Sequence, residues 1–135
     1  MENLKTGYLK QPYPHPVKRY CQVLNLKLGE GKIEEYKRWH NSQNIWKEIP
    51  QGIRKAGILD MELYLLGNTA VMILTTPVDF NWDEAFGKLA TFERQAEWED
   101  FVAQFQDADA GKRSDEKWQL MERIFSLPEA LGEDL

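Results

Sequence analysis

The chain is expected to adopt an α+β fold, a ferredoxin-like βαββαβ antiparallel sheet carrying its helices on one face. Three observations predict it. A period-two run spans Arg19 to Leu28, two apolar stretches meet at Gly67-Asn68, and segments of helical period lie between the strands.

The elements follow in order. Met1 to Val17 contains "QPYPHPV", whose alternate prolines remove backbone donors and bias their predecessors toward extended geometry, so residues 1–17 read as an irregular arm. In "RYCQVLNLKL", Tyr20, Gln22, Leu24, Leu26 and Leu28 fall on one face and Cys21 and Val23 on the other, which predicts the first strand. "KIEEYKRWH" places Ile33, Tyr36 and His40 on one side of a helix, with Glu34, Lys37 and Arg38 toward water. Polar "NSQN" interrupts, and "IWKEIPQGIRKAG" supplies a second short helix ending near Gly57, with Pro50 tolerable in its first turn.

"ILDMELYLL" and "TAVMILTT" then form a hairpin about Gly67-Asn68, a pair suited to tight turns. From Asp79 to Ala108 the period is helical, with Trp98, Phe101, Val102 and Phe105 on one side and a break near Thr91. "DADAGKRSD" reads as loop, and Glu116 to Phe125 as a closing strand in which Trp118, Leu120, Glu122 and Ile124 alternate with Gln119, Met121 and Arg123. The domain therefore covers residues 18–127, and 128–135 is a solvated tail. Helices on one face leave the other sheet face open, and a second copy laying its sheet there would make a dimeric α/β barrel, so a homodimer is expected.

Composition narrows the function classes. The 135 residues suit one domain, and 42% hydrophobic with 29% charged residues is ordinary globular usage. A net charge of −5 with only scattered basic pairs argues against nucleic acid. No stretch reaches the roughly 20 apolar residues of a membrane span, Cys21 stands alone without a disulfide partner, and the start lacks a signal-type run, so no membrane partner and a cytoplasmic location are expected. Two distant histidines and one cysteine make no zinc constellation, and neither a phosphate-binding glycine loop nor a Ser-His-Asp context occurs.

What chemistry the residues offer centres on His40. Its unperturbed pKa, roughly 6.5, suits giving and taking protons, while a hydrogen-bonded histidine at a helix end is the structural alternative. Tyr36, one turn earlier, can share a pocket with it or pack in the core. Trp46, Trp98 and Trp118 offer flat faces either to a pyranose or to core neighbours. His15 lies in a Pro-His-Pro arm, and the carboxylate pairs Glu34-Glu35 and Glu99-Asp100 read as solvated helix faces.

"EEYKRWHNSQNIWKEI", with "GILDMELYLL", "TAVMILTT", "EWEDFVAQFQ" and "KWQLMERIFSL", resembles the L-rhamnose mutarotase family over residues 18 to 127. The resemblance implies a small dimeric ferredoxin-like enzyme that interconverts the α and β anomers of a 6-deoxy sugar without a metal or other cofactor. It assigns His40 the acid-base position, Tyr36 the substrate-binding tyrosine and Trp98 the second of a tandem tryptophan pair; Trp46 is expected to grip the ring together with Trp98. Two substrate-binding positions depart from the family pattern. Glu97 stands where the first tandem tryptophan falls, and Met61 where a second tyrosine falls. "SQ" also lengthens the link from His40 to Trp46. These changes bear on sugar identity, and L-fucose is an alternative to L-rhamnose. A cofactor-independent monooxygenase built on the same dimeric barrel, or a non-catalytic sugar-binding module, are the other readings.

Overall fold

A computed structural model of the chain describes residues 4–108 and 112–133. Its frame is a four-stranded antiparallel sheet in the order β2-β3-β1-β4, with β1 at Val17–Asn25, β2 at Asp60–Leu66, β3 at Thr69–Pro77 and β4 at Gln119–Leu120. This is the ferredoxin-like α+β arrangement. β3 pairs along its whole length with β1, from Val17 opposite Pro77 to Asn25 opposite Thr69, and β2 folds back onto β3 through Gly67-Asn68. Gly67 takes the left-handed φ of 61° that this two-residue turn requires, and Asn68 donates from its side chain to the Leu26 carbonyl at 3.1 Å.

Alternation decides which sheet face is covered. Gln22, Leu24 and Leu26 point with Ala70, Met72 and Leu74 into the core, and Leu74 is wholly buried. On that face lie helices α1 at Lys32–His40, α2 at Glu48–Lys55, α3 at Trp82–Leu89 and α4 at Gln95–Ala103. They contribute Tyr36, Ile49, Phe86, Leu89, Trp98 and Val102 to one continuous cluster with the sheet residues. Cys21, Val23, Val71 and Ile73 point to the opposite face and are half-buried. Among the described residues, no helix is long and apolar enough to cross a membrane.

Local chemistry explains the helix ends. α1 starts after Gly31, whose φ of 79° turns the chain out of the preceding loop. Pro50 is the third residue of α2, where a missing amide hydrogen costs little. α3 is capped by Asn81, whose Oδ1 accepts from the Glu84 amide at 2.9 Å. Asn81→Ala is expected to lower unfolding free energy by ~1 kcal/mol, read by urea denaturation, and an unchanged midpoint would show the cap to be dispensable. The break expected near Thr91 lies between α3 and α4.

Two expectations are corrected. Glu116 to Phe125 does not form a continuous strand: Ser114–Lys117 is a short helix, α5, and β4 has only two residues, extended by a bond from the Met121 amide to the Cys21 carbonyl at 2.8 Å. The period of two came largely from Trp118, which is buried beside the helix layer, whereas Ile124 and Phe125 are exposed and belong to no strand. Lys117 is buried as well and donates its ammonium to the Glu99 carbonyl and Gln106 Oε1, both at 3.2 Å, a pairing that a straight strand does not explain. The loop expected at 107–115 thus ends inside α5, and 109–111 lie outside the described residues. Glu99 is likewise buried rather than on a solvated face, while Asp100 is exposed. The tail carries a short helix, α6 at Leu127–Ala130, with no buried residue. The proline-rich arm lies along β2, with Tyr8 edge-on to Tyr64 at 5.8 Å and Lys10 paired with Asp60 and Glu62.

Candidate active site

Between the helix layer and the sheet lies a cavity of about 520 Å³, within the roughly 300–1,000 Å³ usual for small-molecule sites. Tyr36 and His40 enter it from α1, Trp98 from α4, and Met61 from β2. Helical geometry does the first part of this work: four residues apart, the two rings stand one turn from each other on the same side of α1, with centroids 4.2 Å apart. Trp98 then meets His40 edge-on at 5.2 Å, which fixes the imidazole from α4.

The histidine is oriented by its own helix. Nδ1 lies 2.7 Å from the Tyr36 carbonyl. Only an N–H at Nδ1 makes this a hydrogen bond, so the neutral ring carries its proton there and leaves Nε2 as an acceptor. Burial lowers the His40 pKa from its ordinary value, and the backbone bond works against that shift without cancelling it. The imidazole is therefore neutral at pH 7. Tyr36 moves the opposite way for the same reason: burial pushes its phenol up to about 12, the Gln106 side chain opposing, so it remains an O–H donor across the physiological range.

Trp46 and Glu97 stand outside the cavity wall. Trp46 backs Trp98 edge to face, with centroids 5.1 Å apart, and Arg94 lies over the Trp46 ring with the guanidinium carbon 4.1 Å from its centroid. The same Arg94 holds Glu48 at 3.3 Å and Glu97 at 3.6 Å, and the Glu97 side chain is 65% exposed. Arg94 does this from a left-handed backbone, φ 63°, unusual for a residue with a Cβ. Nothing in the local pattern marked it. His15 stays exposed on the arm, bonded to the Pro16 carbonyl at 3.1 Å.

Several polar cavity residues escape attention in the sequence. Gln22 rises from β1, Gln106 follows α4, and Asp115 lies in α5, where Arg113 holds its carboxylate at 2.8 Å. Gln22 did carry a signal, since it is the polar residue on the otherwise apolar Tyr20-Leu24-Leu26 face. Gln106 and Asp115 carried none.

Fold and site together define a ferredoxin-like chain with a small-molecule cavity organised around a histidine and tyrosine on one helix. The L-rhamnose mutarotase family model matches residues 19–127. The chain belongs to that family. An L-fucose mutarotase of Xanthomonas campestris pv. campestris is 33% identical over 116 residues, which is 86% of this chain and 93% of that protein. The crystal structure of an L-rhamnose mutarotase from Formosa agariphila superposes with a TM-score of 0.60 at 19% identity, over 82% of this chain and 98% of that one, and supports the fold.

Proposed function

We propose that this protein is a mutarotase that interconverts the α and β anomers of a 6-deoxyhexose, L-rhamnose or L-fucose, by acid-base opening and closing of the hemiacetal. The observation that carries this is the His40 imidazole, bound through Nδ1 to the Tyr36 carbonyl and lining one cavity with Tyr36 and Trp98. The L-fucose mutarotase of Xanthomonas makes L-fucose as good a candidate as L-rhamnose.

Ring opening moves only protons. The anomeric O–H loses its proton, the ring oxygen gains one, and the C1–O5 bond breaks to give the aldehyde. Rotation about C1–C2 and the reverse steps yield the other anomer. His40 Nε2 takes and returns the proton, and the Tyr36 phenol, still protonated, orients the anomeric oxygen or relays through it. These transfers call for no redox partner or metal. Trp98 offers its face to the C–H side of the pyranose, Trp46 and Arg94 brace Trp98 from behind, and Met61 contributes an apolar wall where the family has a phenol. Glu97 acts on this site through Arg94.

The assembly proposed is a homodimer in which a second copy covers the sheet face carrying Cys21, Val23, Val71 and Ile73. A non-catalytic sugar-binding role is the other reading, favoured by Met61 in the wall.

Saturation-transfer NMR between anomers tests the function. Catalytic protein should speed exchange of L-rhamnose or L-fucose well above the buffer rate. Because the buried His40 has its pKa below the ordinary 6.5, activity should persist through pH 6.5 and fall only at lower pH as Nε2 becomes protonated. Tyr36 should cause no alkaline loss up to pH 10. Binding without acceleration would replace the enzyme by the sugar-binding reading, and an acid limb above 6.5 would remove His40 as the base.

A further inference from the structure

Gln22 sits in the middle of β1, opposite Met72 on one side and Leu120 on the other. It is 1% exposed, and its Oε1 is buried without a hydrogen-bond partner among the described residues. A buried carboxamide oxygen left without a donor is destabilising, and native interiors contain few. Leucine or methionine would fill the same place beside Leu24 and Met72 at no such cost, so packing alone does not account for the amide.

Its position does. Gln22 is part of the wall of the cavity that His40, Tyr36 and Trp98 line. The neighbouring amide, Gln106, is already engaged, accepting from Lys117 Nζ at 3.2 Å and lying against the Tyr36 phenol. On the sheet side the wall also carries Met61, Leu63 and Met72, with Asp60 at the start of β2. As the chain stands the oxygen itself is covered, and a turn of the carboxamide about its last torsion presents it to a space of sugar size, where an acceptor is suited to a ligand hydroxyl.

We infer that Gln22 is a specificity-determining residue: its Oε1 accepts a hydrogen bond from one ring hydroxyl of the bound monosaccharide, separate from the proton-transfer pair on α1. The inference rests on the mutarotase reading and adds to it a named polar contact on the sheet side. A sugar with an O–H at that point completes the amide. One lacking it leaves the oxygen orphaned again, and a site built for a hydroxyl discriminates against the deoxy analogue for that reason.

Gln22→Leu and Gln22→Met test this, since both keep the volume and remove the acceptor. Anomer exchange would be followed by saturation-transfer NMR on L-rhamnose, L-fucose and their 2-, 3- and 4-deoxy derivatives. The expected result is a roughly 10-fold loss in kcat/KM for the parent sugar, carried mainly by KM, with the acid limb unmoved and the melting temperature equal to or above that of the unsubstituted protein. For one deoxy derivative, variant and unsubstituted protein should be equal. Unchanged kinetics with every sugar would mean that water alone satisfies Oε1. An equal loss across all derivatives would mean a packing role. Either overturns the assignment of Gln22 while leaving the mutarotase reading standing. Absence of accelerated exchange by the unsubstituted protein with any parent sugar removes that reading and this inference together.

Discussion

His40→Ala is expected to lower anomer exchange at saturating sugar by about 10²–10⁴-fold, the contribution typical of one positioned acid-base group. The loss should fall in kcat, because the imidazole acts on the transferring proton more than on the bound ring. Truncation also removes ring contacts with Tyr36 and Trp98 at 4.2 and 5.2 Å, so folding is checked alongside by thermal melting. Imidazole added to the folded variant should restore part of the rate. A variant that melts normally and exchanges sugar at the original rate would sink the assignment.

Trp98→Ala should be the most damaging change to stability, about 3–5 kcal/mol by urea unfolding. The ring is 6% exposed and touches Trp46 and Phe101 at centroid distances of 5.1 and 5.9 Å, besides His40, so its removal empties the junction of α1, α2 and α4. Against the roughly 5–15 kcal/mol that holds a domain together, this is a large fraction. Trp98→Phe keeps an aromatic face and should cost less. A loss below about 1 kcal/mol would show that the cavity collapses around the missing ring.

The two variants separate chemistry from architecture within one cluster. The architecture was partly legible beforehand. Tyr36 and His40 meet because a helix repeats every 3.6 residues, a short-range rule that needs no tertiary information. Gly67-Asn68 likewise announced its hairpin through local backbone chemistry. β4 was misread because alternation about a buried tryptophan imitates a strand, and a four-residue helix leaves too little periodicity to compete. Glu99 was misplaced because its burial depends on what α5 brings against it.

By itself, then, the sequence determined the βαββαβ order, the sorting of β1 side chains onto two faces and the shared phase of Tyr36 and His40 on α1, all of which follow from local period and turn chemistry. Only the tertiary structure decided which rings line the cavity. It put Trp98 in the wall with Trp46 behind it, turned Glu97 outward to Arg94, and left the Gln22 oxygen without a partner among the described residues. Those outcomes belong to contacts between β1, α1 and α4, separated by many residues in the chain. Packing sets them, and no repeat along the sequence encodes where an empty space will remain.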